Sequence, residues 1–288
     1  MNSETRNCQN CKQGFTIEPD DFLFYEKIKV PPPTFCPTCR MVRRFLWRNE
    51  RALYRRKCAL CKKDILSMYH PAGPFTVYCD PCWWSDAWDA AEYGKPYDFS
   101  KPFFVQFDEL QKRVPLPALW GFDNVNCDYA NHVGHSKNCY LSMSVVSCED
   151  IYYSTSIDRS RGCFDCDLVA DSESCYENTN SVRNHRSIFL ARSKECLDSS
   201  FLFDCSNCQH CFMSSNLRNR KFVFRNAQLS EGEYRKAVAG IEVGSYSVLS
   251  ELAKEFGTLK KKSLYKFSNI LKSEQATGDD ISESKNVR

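Results

Sequence analysis

No run of about 18 consecutive apolar residues occurs in the chain, so no segment is predicted to span a membrane. The opening residues, Met1-Asn2-Ser3-Glu4-Thr5-Arg6-Asn7, carry neither an apolar stretch nor a cleavage site, which argues against a secretory leader. A Gly-rich phosphate loop, a nucleophile elbow and a His-Glu-x-x-His helix are all missing. The acids are scattered without a recognisable pair. No catalytic constellation is found, and the chain reads as non-enzymatic.

What is abundant is cysteine, with 18 in 288 residues. Without a leader the expected setting is the reducing cytoplasm, where thiols serve as metal ligands or as small core residues rather than as disulfides. The formal charge of +3 hides an uneven distribution: from Arg40 to Lys63 there are ten Lys or Arg against one acid, Glu50. A basic block beside a nearly neutral remainder suggests a localised polyanionic partner.

Eight cysteines form four Cys-x-x-Cys pairs: Cys8/Cys11, Cys36/Cys39, Cys58/Cys61 and Cys79/Cys82. Two intervening residues let one tight turn supply two thiolates to a tetrahedral zinc ion. Sequential pairing gives two structural zinc ions, the first two pairs on one and the last two on the other. An interleaved arrangement, disulfides, or plain core thiols are the alternatives. The first and third pairs repeat at a shift of 50 residues, as duplicated modules would. In each module a knuckle precedes strand-like residues, Phe22 to Tyr25 or Ile65 to Tyr69, and a Pro-containing pair that opens a helical pattern. This order resembles a treble-clef zinc finger. Modules of roughly 45 residues have too little core to fold unaided.

Between the sites, a helix from Arg40 to Arg56 would align Arg40, Arg43, Arg44, Arg48, Arg51 and Arg55 on one side, with Trp47 and Tyr54 among them. Met41, Val42, Phe45, Ala52 and Leu53 would face the zinc module. Arginine forks match phosphate, and interleaved aromatics stack on splayed bases, so RNA or the ribosome is the expected contact. The alternatives are a solvated face, an acidic protein partner, or docking onto Asp86, Asp89, Glu92 and Asp98 of the same chain. Trp83, Trp84, Trp88, Tyr93 and Tyr97 read as core of the second module rather than as a stacking surface.

A connector follows, with an amphipathic helix expected from Lys101 to Val114 and Ser100 as its cap. Stepping by six from Cys127 to Val223, seventeen consecutive positions are small or aliphatic and none is charged. The positions midway between are mostly small, and a beat of twelve adds Tyr140, Tyr152, Phe164, Tyr176, Ile188, Phe212 and Phe224. Fixed-period self-similarity implies a solenoid, here a thin parallel β-solenoid of about 12 residues per coil, with 18- or 24-residue coils as alternatives. Roughly eight rungs at about 4.8 Å would make a rod near 40 Å long. Cys196, Cys205, Cys208 and Cys211 invite an iron–sulfur or third zinc site by spacing, but they fall on the small-residue phases and read as core filling. His132, His135, His185 and His210 fall on surface phases. From Ser230, a capping-box pattern with Glu233 opens a C-terminal helix, and residues from Ser273 read as disordered.

Several stretches carry a resemblance: Cys36-Pro37-Thr38-Cys39-Arg40, Arg48 to Tyr54, Tyr78 to Asp86, Asp98 to Phe104, and Asn216 to Asn219. Together they resemble an uncharacterised bacterial family that joins double zinc-ribbon or treble-clef modules to a cysteine-rich C-terminal repeat region. The resemblance implies the zinc ligands and the modular layout, and no activity. The serine stretch 181–199 is poorer in cysteine than such repeats, which weighs against metal binding along the whole array.

The chain is therefore expected to be mixed α+β. Its predicted parts are a first zinc module with the Arg helix (1–57), a second zinc module (58–92), a helical connector (93–120), the solenoid (121–226), a helical segment (227–272) and a tail (273–288). The predicted function is a zinc-binding adaptor that touches RNA or the ribosome through the Arg helix and a protein through the solenoid. The alternatives are an assembly protein bound to an acidic partner and a redox protein using the solenoid cysteines.

Overall fold

The computed structural model describes residues 2–46, 49 and 51–287. The chain divides into two compact units, Met1–Tyr54 and Arg55–Arg288.

In the first unit, β1 (Glu4–Asn7) and β2 (Gly14–Ile17) form an antiparallel hairpin with Glu4 opposite Ile17. Next comes α1 (Pro19–Lys27), where the sequence reading expected strand. Local chemistry explains the helix. Glu18 and Asp21 close a reciprocal capping box, Pro19 sits in the first turn, and Asp20 and Asp21 complement the helix dipole. Helix α2 (Pro37–Phe45) is capped by Cys36 and has Arg43 and Arg44 in its last turn.

The expected Arg40–Arg56 helix is not formed. After α2 the Asn49 side chain both donates to and accepts from the Ala52 backbone, and Tyr54–Lys57 is strand β3. The duplication demanded this outcome, because β3 and β4 (Asp64–Ser67) stand 50 residues after β1 and β2. Met41, Val42 and Phe45, expected to pack inward, are exposed.

In the second unit, β3 pairs with β4, followed by β5 (Val77–Tyr78) and the short α3 (Asp80–Trp83). Trp88 packs on Tyr78, Trp83 and Tyr93, with ring centroids 4.8–6.2 Å apart, while Trp84 and Tyr97 are exposed. The expected aromatic core is thus three rings of the five. Helix α4 (Phe103–Arg113) is capped by Pro102 rather than Ser100, and it exposes Phe103, Phe104 and Phe107. Strand β6 (Leu116–Pro117) pairs in parallel with β5, which joins the module to the first coil at Gly121–Phe122.

From Gly121 to Gln228 the described residues build one fifteen-stranded, mostly parallel sheet wound into a solenoid-like stack. Strand partners are twelve residues apart, as in Met143↔Thr155 and Ile151↔Cys163, so the 18- and 24-residue alternatives do not occur. The finer period is three. At every third position from His132 to Arg225 the backbone is left-handed, with φ between 42° and 61°, and only one of these residues, Gly162, is a glycine. From Val133 to Ser214 the residue after each such corner is buried.

The inward residues are small for a reason beyond space. Their side chains accept backbone N–H groups from the next coil. Ser136 Oγ accepts from Cys148 at 3.1 Å, Ser154 Oγ from Cys166 at 3.0 Å, and Asn184 Oδ1 from Cys196 at 2.9 Å. The same hydroxyls donate two residues back, as Ser136 does to Gly134 O at 2.8 Å. A buried backbone donor left unpaired costs about 1–3 kcal/mol, so interior Ser, Cys and Asn serve as connectors between coils. Outside, opposite charges stack from coil to coil: Lys137–Glu149, Arg159–Asp171, Arg183–Glu195 and Arg186–Asp198. Such pairs favour the in-register stack over a slipped one.

One side of the stack is aromatic. The column Tyr140, Tyr152, Phe164, Tyr176, Ile188 runs in register and continues through Ser200 to Phe212 and Phe224. After the last coil, α5 (Glu231–Ala239) starts with the expected Ser230/Glu233 capping box. The segment Gly240–Ser245 separates it from α6 (Tyr246–Lys262), giving two helices rather than one. Leu252 and Phe256 of α6 pack on Phe201, Phe203, Phe212 and Met213 of the solenoid.

The tail from Ser273, expected to be disordered, contributes strand Ile281–Ser282, which pairs in parallel with Ile270–Leu271 at the end of the segment expected to be helical. Its chemistry is that of the repeat. Lys272 is left-handed, and Ser273 Oγ donates to Leu271 O and accepts from Ser284 N–H at 3.1 Å. Polar composition concealed a coil whose interior residue is a serine.

Candidate metal centres

Each hairpin turn presents a Cys-x-x-Cys knuckle, and a helix start presents the second pair. Cys36 is the cap of α2, and Cys79 is the cap of α3. The Sγ atoms of Cys8, Cys11, Cys36 and Cys39 lie within 4.8 Å of one another, and so do those of Cys58, Cys61, Cys79 and Cys82. The pairing is sequential, not interleaved. Cys11 Sγ is 3.8 Å from Cys36 Sγ, and Cys61 Sγ is 3.7 Å from Cys79 Sγ. A tetrahedron of thiolates about 2.3 Å from a central ion has edges of about 3.8 Å. Both clusters could hold a metal ion.

The two cradles share their hydrogen bonds as well as their ligands. The N–H of Cys8 donates to Gln13 O and that of Cys58 to Lys63 O, both at 2.9 Å. The N–H of Gln9 donates to Thr34 O and that of Ala59 to Val77 O, both at 2.8 Å, tying each knuckle to the residue two before its second pair. The N–H of Cys36 donates to Cys8 Sγ at 3.2 Å, and that of Cys79 to Cys58 Sγ at 3.3 Å. Lys12 and Lys62 occupy the same left-handed corner at φ 65°. Neither lysine, nor Asn10, whose amide donates to Cys39 Sγ at 3.4 Å, was singled out from the sequence. The recurrence of lysine at a shift of 50 was a readable signal for the corner.

These contacts set the thiol chemistry. Burial opposes ionisation of Cys8, but the N–H groups of Cys36, Cys11 and Asn10 bring it down to about 6. At Cys58 burial is likewise outweighed by the N–H groups of Cys79, Cys61 and Leu60, again giving about 6. Cys82 is pushed up to about 12 by its hydrogen bond with Cys79 and by burial. Each cradle therefore holds one buried sulfur predisposed to be a thiolate, with further thiols ready to lose protons to a cation.

The predicted arginine stripe is not carried by one helix. Arg40, Arg43 and Arg44 lie on α2, Arg51 lies in a bend, and Arg55 lies in β3 of the other unit. Trp47 and Arg48 lie outside the described residues. Arg40 is partly buried, with Nη1 donating to Tyr25 Oη, and Arg43 covers the Phe35 ring at 4.7 Å. Arg44, Arg51 and Arg55 are exposed.

In the solenoid, Cys196, Cys205, Cys208 and Cys211 are fully buried within one core cluster. Each donates to a backbone carbonyl two residues back, at 3.4 Å in every case. Contacts with Cys208 and burial push Cys196, Cys205 and Cys211 up, and those three draw Cys208 down. Their sulfurs are not gathered as the cradle sulfurs are, since among the described residues only the two N-terminal quartets converge. No protein-family model matches the chain, and no curated protein is similar to it.

Proposed function

We propose that the chain is a non-enzymatic adaptor. It holds one structural zinc ion in each four-cysteine cluster, contacts RNA or the ribosome through its Arg-rich segment, and offers the solenoid to a protein partner. The observation that carries this reading is the twofold recurrence of one cradle, cysteine for cysteine and with the same backbone hydrogen bonds at each knuckle. Four thiolates complete the zinc shell and leave no position open for water or substrate, which favours a structural ion. Knuckle, hairpin and ligands on a first helical turn support treble-clef-like modules. None of the eighteen cysteines is joined in a disulfide, in keeping with a reducing, cytoplasmic setting. The exposed guanidinium groups of Arg44, Arg51 and Arg55, in a segment nearly devoid of acids, support phosphate contact.

One native preparation tests both halves. Elemental analysis should find two zinc and no iron per chain. Filter binding to mixed-sequence RNA should weaken steeply with salt, and Arg44→Ala or Arg51→Ala should each lower the log–log slope by about 1. Iron in the cradles would move the reading to a redox protein. Salt-insensitive or absent RNA binding would remove the nucleic-acid contact.

A further inference from the structure

The aromatic side of the solenoid is covered over only half its length. Toward the C-terminal end, Phe189, Phe201, Phe212 and Met213 lie beneath α6, with the Phe201 and Phe256 rings 5.8 Å apart. Toward the N-terminal end the same side continues in register and is bare: Tyr129 is 44% exposed, Leu141 41%, Tyr153 55% and Phe164 43%. The bare rings are ordered against one another, Tyr129 on Tyr140 at 5.4 Å and Tyr140 on Tyr153 at 5.8 Å. A contiguous apolar strip of this kind marks an interaction surface.

Charge points to what would cover it. Elsewhere on the solenoid, neighbouring coils pair opposite signs. On this side Asp165 and Glu177 stand on adjacent coils with like sign, and burial together with Asp165 pushes the Glu177 carboxyl up. The cation that opposes this rise is Lys260, from the basic last turn of α6, Lys260-Lys261-Lys262. The part of the ladder already covered is therefore covered by an amphipathic helix with a basic end, and the bare part presents the same apolar rings with acids at its border.

We propose that the bare half of the aromatic ladder, centred on Tyr140, Tyr153 and Phe164, is the docking site for a basic amphipathic helix of a partner protein. The helix would lie on the track that α6 occupies farther along. This deepens the adaptor reading and rests on it, because it names the solenoid face and the chemistry of the partner.

The test uses the full chain and a helix-stabilised, fluorescent peptide with the sequence of residues 246–262. Anisotropy titration should show saturable binding. Tyr153→Glu and Leu141→Glu should each weaken it by about tenfold or more, as truncating a central apolar anchor does. Both side chains are substantially exposed, so the substitutions are compatible with folding, which circular dichroism checks. Asp165→Lys combined with Glu177→Lys should also weaken binding. Val146→Glu, on another side of the stack, should leave it unchanged. Absent binding, or binding indifferent to Tyr153→Glu, overturns the proposal. A dimer of the chain that Tyr153→Glu disperses also overturns it, in favour of a second copy as the occupant. Zinc content and RNA affinity are read on the same preparations. If those hold while the peptide fails to bind, only this inference falls; if they are lost while the peptide binds, the metal and RNA parts of the adaptor reading fall instead.

Discussion

In the two cradles Cys8 and Cys58 receive backbone N–H groups and face three other thiols, whereas in the solenoid Cys148 accepts one N–H, from Ser160 at 3.3 Å, and points its S–H at the carbonyl oxygens of Val146 at 3.1 Å and Ile157 at 3.6 Å. A donor-rich surrounding stabilises the thiolate, and an acceptor-rich one needs the proton to remain on sulfur. Thiol neighbours move Cys82 up and Cys208 down, but at the first sulfur of each cradle and at most interior thiols the titration directions agree. Cys8 and Cys58 come down to about 6, while burial pushes Cys139 and Cys148 up. Spacing alone does not separate these fates, because Cys205-x-x-Cys208 and Cys8-x-x-Cys11 share one motif. The backbone around the sulfur separates them.

The largest expected effect comes from cutting a ligand in a cradle. Cys8→Ser should release one metal ion per chain and leave the first unit open to protease, since zinc supplies on the order of 10–16 kcal/mol in small modules of this kind. Chelation of the wild-type chain should do the same to both modules. The strand signal of the solenoid should persist, because its coils stack without metal. Elemental analysis with limited proteolysis measures this. A first unit that stays protease-resistant without metal would sink the claim that the ion orders it.

A smaller effect is expected when a solenoid thiol is cut. Cys208→Ala should keep both metal ions and cost about 1–2 kcal/mol in urea unfolding, the loss of a buried side chain and of one hydrogen bond. A fall in metal content would break the comparison by making the solenoid quartet a third centre.

The two cysteine quartets were legible because a Cys-x-x-Cys pair declares its chemistry in four residues, and the repeat at a shift of 50 declared the grouping. The period of the solenoid was legible from side-chain size. What was not legible is instructive. The segment Arg40–Arg56 has helical periodicity throughout, yet the hairpin of the second module claims Tyr54–Lys57 as strand. A tertiary requirement overrode a local pattern there. At Phe22–Tyr25 the error ran the other way: four apolar or aromatic residues look like strand, and the capping box at Glu18/Asp21 makes them helix. The interior serines were read as small, while their work as acceptors for the next coil, as at Ser142 and Ser154, emerges only once the coils are stacked.

The smallest expected effect tests the corners themselves. Left-handed backbone is ordinarily unfavourable for residues with a Cβ, yet the stack places one at every third position and fills all but Gly162 with other residues. Stacking must offset that cost, because corner N–H groups donate to the preceding coil, as Asn138 does to Val125 O at 2.9 Å and Tyr153 to Tyr140 O at 3.0 Å. Gly162 has room: a Cβ there would meet nothing closer than Ser174 N at 3.8 Å. Gly162→Asn should therefore raise stability by about 0.4–1 kcal/mol, since Asn accepts this conformation and narrows the unfolded ensemble. Gly134 offers the control. It is not left-handed, but a Cβ there would press within 2.9 Å of the Phe122 ring, so Gly134→Ala should destabilise. Urea midpoints of the two variants should move in opposite directions. If Gly162→Asn instead lowers the midpoint, the corners are strained sites that the stack tolerates poorly, and the three-residue beat is not what lets non-glycine residues turn this solenoid.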